Sequence, residues 1–514
     1  MPIRSAVIAA GLSLAFAALL FTGSGWSGAP ATERASVSSA GAEANGPSFG
    51  PALSDDGRYV VFTSDASNLS PSDTNGRDVF VHDRQTGSTE LVTIASDGTQ
   101  ANRAALFPAI SGNGRYIAFQ SDADNLVPGD TNGVGDIFLH DRQTGVTERV
   151  SLTNSGAQAN GESFTPSVSA DGRYVTFTSR ADNLVAGDTN STRDVFLRDR
   201  QTGVTELLSV STAGEIGNDP SGGLGAGAAR ISSDGRYVVF GSFAGNLAPG
   251  DSNLRDDVFL RDRQTGVTEL LSVSTSGELG NGHSMYPDVS DDGRYVIYHS
   301  LADNLVAGDS NGQSDVFLRD RDTGVTTLLS AGIGGTPADG LSHFAVISAD
   351  GRFAAYPSDA TNLVAGDTNG QRDIFLQEIA SGDVERVNLS SSGGKSGGPS
   401  SSAAIDGSGN TVAYQSFAGN LVASDSNDAP DVFVWGTPLS PAATPTQAAP
   451  AGDADCSSAV NAIDAALILQ LIAGLVGTLP CPVAADANAS GNVDAIDAAL
   501  VLQFVAGLVG TLPP

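Results

Sequence analysis

Residues 108–152 read PAISGNGRYIAFQSDADNLVPGDTNGVGDIFLHDRQTGVTERVSL. Within this stretch 108–111 form a short strand, 112–115 a tight turn, and 116–121 an alternating strand. A polar loop over 122–135 leads to a third strand at 136–140. The turn around Arg142 to Gly145 opens a fourth strand over 146–152. Apolar residues alternate along the strands and Gly marks the turns, the pattern of half-buried strands. The Gly-Arg turn recurs with its arginine at Arg58, Arg115, Arg173, Arg236, Arg294 and Arg352, and a seventh copy places Asn410 there. Successive steps are 57, 58, 63, 58, 58 and 58 residues, so one supersecondary unit is used seven times. A lone four-stranded sheet cannot bury both faces. Seven packed radially can, which predicts a mainly β chain folded as a seven-bladed β-propeller.

The ends of the repeat predict how the ring closes. The seventh unit has a third strand around Asp431 to Trp435 but no fourth. TERASVSSAGAEANG (32–46) parallels TERVSLTNSGAQANG (147–161), so 32–39 should supply the missing outer strand of the last blade. Upstream, residues 1–31 read as a signal peptide. Arg4 supplies the charge, residues 8–21 are apolar, and Ala29-Pro30-Ala31 forms a small-residue cleavage site. A secreted, extracellular or cell-surface protein follows, with no later segment of membrane-span character.

The chain has 58 acidic and 26 basic residues, a formal net charge of −32. This excludes nucleic acid and anionic lipid as partners held by counterion release, and favours cations. The only two cysteines, Cys456 and Cys481, are predicted to pair as one disulfide in an oxidising compartment.

The propeller repeats, at about 32–437, resemble the TolB-like, WD-related repeat. The resemblance rests on Ser169-Ala-Asp-Gly172 followed by Asp194-Val-Phe196 and on their counterparts in the other units. It implies a propeller that works by binding and leaves function open.

Beyond the propeller (32–436), residues 437–451 (TPLSPAATPTQAAPA) form a Pro/Ala/Thr-rich linker. A second duplication follows over 452–514, where GDADCSSAVNAID (452–464) matches ADANASGNVDAID (485–497). Oxygen side chains fall at loop positions 1, 3, 5, 9 and 12. They are Asp453, Asp455, Ser457, Asn461 and Asp464 in one copy, and Asp486, Asn488, Ser490, Asp494 and Asp497 in the other. Carbonyls of Ala459 and Asn492 would serve position 7. A hard cation needs six to eight converging oxygens, and this is EF-hand spacing, so two Ca2+ ions are expected. Gly491 suits the sharp turn at position 6; Ser458 departs from it.

This duplicated loop–helix pair is similar to a type I dockerin. The resemblance implies calcium-dependent docking to a cohesin-like domain or other surface protein. Carried over by position, the contact residues would be Ala462, Ile463, Leu469 and Gln470 with Ala495, Ile496, Leu502 and Gln503. Apolar residues stand where cellulosomal dockerins often carry Ser/Thr and Lys/Arg.

Within the propeller, the long loops repeat an Asp-x-Asn-x-x-x-Asp pattern at Asp130/Asn132/Asp136, Asp188/Asn190/Asp194 and Asp309/Asn311/Asp315. These read as Asx turns in preference to calcium sites. His283, His299 and His343 cluster in or beside the fifth blade and form a weaker candidate metal set. No HExxH, nucleophile elbow, P-loop or dinucleotide fingerprint occurs, so catalytic residues are unassigned. Three functions stay open: a tethered propeller binding carbohydrate or protein, a polysaccharide hydrolase or lyase delivered by the dockerin-like tail, and a structural adhesion protein.

Overall fold

The computed structural model describes residues 30–439 apart from 75 and 224–228, and residues 454, 460–473, 475, 479, 485, 487 and 493–506 of the C-terminal module. These fall into two compact units divided between Pro438 and Leu439. No helix among the described residues is long and apolar enough to cross a membrane.

The first unit is a seven-bladed propeller of four-stranded antiparallel sheets. In blade two the strands are Ala105–Ile110, Tyr116–Ser121, Asp136–Asp141 and Val146–Arg149. The innermost strand begins earlier than its sequence suggests, because it runs through a bulge at Phe107 that breaks the two-residue alternation. The outermost strand stops earlier, at Arg149, where the chain turns toward an isolated bridge between Leu152 and Gln158. Blade seven takes its fourth strand, Ala31–Arg34, from the N-terminal side. Thr32 pairs with Trp435 and Arg34 with Phe433, which closes the ring and leaves no open edge between the chain ends.

Each blade presents an aromatic pair from its two middle strands to the space between blades. Phe62/Phe80, Phe119/Phe138 and Phe177/Phe196 stack at 6.1, 6.0 and 5.9 Å, and Tyr298/Phe317 and Tyr414/Phe433 occupy the same register. These rings are fully buried. Each such side chain contributes about 1.5–3 kcal/mol on burial, which is how a chain with so few charged residues gains its core.

The repeated Gly-Arg-Tyr turn has a structural task. Arg58 donates to both carboxylate oxygens of Asp83 at 2.8 and 2.7 Å and lies over the Tyr59 ring, whose other neighbour is Arg142 of the next blade. Arg142 also reaches Glu90, and Arg263 reaches Glu206 in the same way. Neighbouring turns are then joined in a circle. Asp55 N donates to Gly112 O, Ala170 N to Ser233 O, Asp291 N to Ala349 O, Asp350 N to Gly407 O and Gly407 N to Asp55 O. The tight-turn end of the central channel is thereby laced together.

At the other end the long loops of adjacent connections hold each other. Asn102 N donates to Asn125 Oδ1, and Asn160 N to Asn183 Oδ1. The two long loop sets therefore share one face.

In the second unit, helices α1 (Ala462–Ile472) and α2 (Ala495–Val505) pack together around Ala465, Ile468, Ala498 and Val501.

Candidate functional site

Two places on this chain are candidate sites: the paired loop–helix module and the central channel of the propeller. In the module, the described parts of the two loops are superposable in chemistry. Asn461 caps α1 by accepting from Ile463 N, while Asp464 accepts from Asn461 N and Ala454 N, each at 2.8 Å. Asp494 and Asp497 repeat the capping box at α2. Asp464 and Asp497, at loop position 12, are completely buried. These carboxylates accept backbone N–H bonds, and with the side-chain oxygens at position 9 they are the hard donor type that calcium takes. The donor chemistry fits a hard cation at both loops. Asp453, Asp455, Ser457, Ala459, Asp486, Asn488, Ser490 and Asn492, and the cysteines Cys456 and Cys481, lie outside the described residues.

On the helices, the eight residues assigned to partner contact are all exposed. Ile463 and Ile496 are each 60% exposed, and Leu469 and Leu502 each 46%. Ile472, Leu475 and Val505 are exposed as well. Equal exposure at equivalent positions means the module shows two copies of one face.

In the propeller, the innermost strands surround a channel with a cavity of about 670 Å³ to which all seven blades contribute. Phe49, Phe107, Tyr286 and Phe344 line it, together with Arg77 and Asp288. The innermost strands of blades one, two, three, five and seven carry a register shift at this level. Phe107, Thr165, Tyr286, Phe344 and Ser402 have φ between 49° and 55°, the left-handed region that non-glycine residues rarely adopt. Gly50 takes the same conformation in blade one. The same unusual backbone conformation thus recurs at one register position and faces one cavity.

Charge in the mouth is asymmetric. Arg77 and Arg372 form two-pronged pairs with Asp65 and Asp359. The blade-four counterpart of Arg77 is Asp256, whose carboxyl is pushed up to about 7 by burial, against the opposing pull of Arg193. Asp288 is also raised, by burial, with Arg230 acting against it. Asp256 was not distinguishable in the sequence among so many aspartates, and its register position also departs from Arg in other blades, at Gly135, Ser314 and Pro430.

The histidines stand behind the aromatic lining. His299 stacks on Tyr286 at 5.0 Å, and His343 meets Phe344 at 4.4 Å and His299 at 6.4 Å. Burial lowers His299 to about 3 and His343 to about 4, so both are neutral imidazoles. His283 turns elsewhere, its Nδ1 accepting from Asp256 N. Among the described residues, the one group of three or more metal-ligating side chains with converging atoms is Glu43, Asp425 and Asp431, and Arg34 bridges all three.

Comparison with known proteins bears on the C-terminal module. Residues 451–506 match the type I dockerin domain. No curated protein matches the chain. Solved structures of similar fold include TolB from Acinetobacter baumannii (18% identity, 55% of this chain and 53% of that one, TM-score 0.32). An oligogalacturonate lyase from Vibrio parahaemolyticus is 11% identical over 77% of this chain and 90% of its own, with a TM-score of 0.45. The acylaminoacyl peptidase of Pyrococcus horikoshii is 13% identical over 76% and 51%, with a TM-score of 0.44. The chain thus spans about half the length of the TolB and peptidase structures. The class is a seven-bladed propeller with TolB-like structural neighbours. Its C-terminal module is a type I dockerin domain, a calcium-binding fold.

Proposed function

We propose that this chain is a secreted ligand-binding propeller, tethered through its dockerin domain in a calcium-dependent manner to a cohesin-type or cell-surface partner. The observation that carries the reading is the duplicated apolar face of α1 and α2, left open at equivalent positions in both copies. A surface with Ile463, Leu469, Ile496 and Leu502 exposed has to be covered by something of matching apolar character. Two calcium ions, one per loop, would order the loops that start the helices. A disulfide between Cys456 and Cys481 would staple the halves of so small a module.

The propeller is read as the recognition part, its channel taking a carbohydrate or protein segment against Phe49, Phe107, Tyr286 and Phe344. Aromatic faces bordered by a few fixed charges suit such ligands. One observation favours an enzyme as the second reading. A carboxyl held near neutrality at the mouth, Asp256, is suited to proton transfer, as a polysaccharide hydrolase or lyase would require.

The test is retention of the full chain on an immobilised type I cohesin in calcium, followed by chelator. Retention with release by chelator supports the tether, and the paired change Ile463→Asp with Ile496→Asp should weaken it at least tenfold. Chains that pass through unretained at every cohesin concentration would refute it. Turnover of a polysaccharide that is lost in Asp256→Asn would favour the enzyme.

A further inference from the structure

The third strand of every blade starts with a buried aspartate, and a second acidic residue from the preceding long loop lies beside it. In blade two these are Asp136 and Asp130. Arg149 stands between them, at 2.9 Å from Asp130 and 3.6 Å from Asp136. Blade six repeats this with Arg386 at 2.9 Å from Asp367 and 3.2 Å from Asp373. Blade seven does so with Arg34, which reaches Asp425 and Asp431 at 3.2 and 3.4 Å. Blade one has no arginine there, but Gln100 donates to Asp73 at 3.0 Å and to Asp78 at 2.9 Å.

Blades three, four and five keep both aspartates and lose both kinds of partner. The arginine position holds Leu207, Leu270 and Leu328, and the glutamine position holds Ile216, Leu279 and Thr336. The pairs Asp188/Asp194, Asp251/Asp257 and Asp309/Asp315 therefore face one another without a cation. Two of these carboxylates carry buried oxygens with no hydrogen bond at all. Asp188 Oδ1, on a residue 8% exposed, and Asp257 Oδ2, on a residue 0% exposed, are both without a partner. Asn190 and Asn311 donate to Asp194 and Asp315, each at 2.7 Å, but Asn132 makes the same bond to Asp136 in blade two and the arginine is still accommodated. Burial raises one member of each pair, Asp194, Asp251 and Asp309, to about 6, as it also raises Asp78 in blade one and Asp431 in blade seven.

We infer that blades three and four each bind a divalent cation between their aspartate pair, in the place an arginine side chain takes in blades two, six and seven. The donors are hard carboxylate oxygens, so the ion is calcium, with water completing its shell. The internal comparison carries this: one chain builds the same acidic cleft repeatedly, fills it with a guanidinium in three blades and an amide in one, and leaves an orphaned buried carboxylate oxygen in blades three and four, where neither is encoded. Burying an unpaired carboxylate is costly, and a bound cation removes that cost.

The test counts calcium ions per full-length chain by equilibrium dialysis at neutral pH with calcium as the only divalent metal. Two double variants are compared with the unaltered chain. In the first, Leu207→Arg and Leu270→Arg rebuild the blade-two arrangement. In the second, Asp188→Asn and Asp251→Asn remove one charge per pair with little change of shape. Both should bind two ions fewer than the unaltered chain, whatever number the dockerin domain holds. The arginine variant should also lose the propeller's share of the thermal shift that calcium produces. An asparagine variant with native circular dichroism and an unchanged ion count overturns the inference, and it decides the matter if the arginine variant fails to fold.

Discussion

Single residues explain why the repeat motif is so regular. The Arg of the Gly-Arg turn closes its own blade through an aspartate and covers one side of its own tyrosine, whose other side is capped by an arginine of the next blade, as Arg173, Tyr174 and Arg263 show with spacings of 4.7 and 4.4 Å. The aspartate that opens each third strand is met by a hydroxyl or amide fifteen residues on, Ser209 for Asp194 and Asn388 for Asp373. In blade seven that hydroxyl comes from the other end of the chain, with Ser36 Oγ at 2.5 Å from Asp431. Both residues are fully buried. Ser36→Ala should therefore cost about 1.5–3 kcal/mol, since it strips a hydrogen bond from a buried carboxyl, measured by urea unfolding. Phe196→Ala, which empties the space beside Phe177, should cost about 3–5 kcal/mol by the same measurement.

At the scale of elements, the legibility of the sequence was uneven. Strands two and three of each blade were readable because they alternate and end in turns: 116–121 is found as Tyr116–Ser121. The innermost strand was less readable. Its bulge places Phe107, Tyr286 and Phe344 in a left-handed backbone, and nothing in those residue types announces such a conformation; Gly50 alone among the copies hinted at it. The closing strand was legible from the 32–46 parallel, and it is found as Ala31–Arg34, beginning one residue inside the segment read as a signal peptide. Removing residues 31–36 should expose the edge of the strand Asp431–Gly436 and lower the thermal midpoint of the propeller. An unchanged midpoint would show that blade seven is stable with three strands.

For the whole molecule, acid groups set opposite slopes in stability. Asp199 and Asp320 are held at about 2 by Arg173 and Arg294. Their folded pKa lies below the ordinary carboxylate value, so their contribution is present above about pH 4 and is lost as pH falls toward 2. Asp194, Asp251 and Asp309 run the other way. Burial raises them to about 6, so their contribution is complete below the ordinary carboxylate value and is lost as pH rises through 6. In chelator, the melting temperature should pass through a maximum between about pH 4 and 6, read by differential scanning calorimetry. A midpoint still rising from pH 6 to 8 would contradict the burial of these carboxyls.

The repeat length, the count of seven and the exchange of the final strand follow from the sequence alone, because each is a matter of periodicity and of which segment lacks a partner. So do the paired calcium-loop pattern and its helices, since ligand spacing along a loop is local. Tertiary structure decided what no local pattern holds. It separated His283 from His299 and His343, brought Asp256 to the channel mouth in place of an arginine, and set Asp188 beside Asp194 with leucine where another blade keeps arginine. Those relations depend on side chains from different strands and blades meeting in low dielectric, where a missing counter-charge matters far more than it does along an exposed chain.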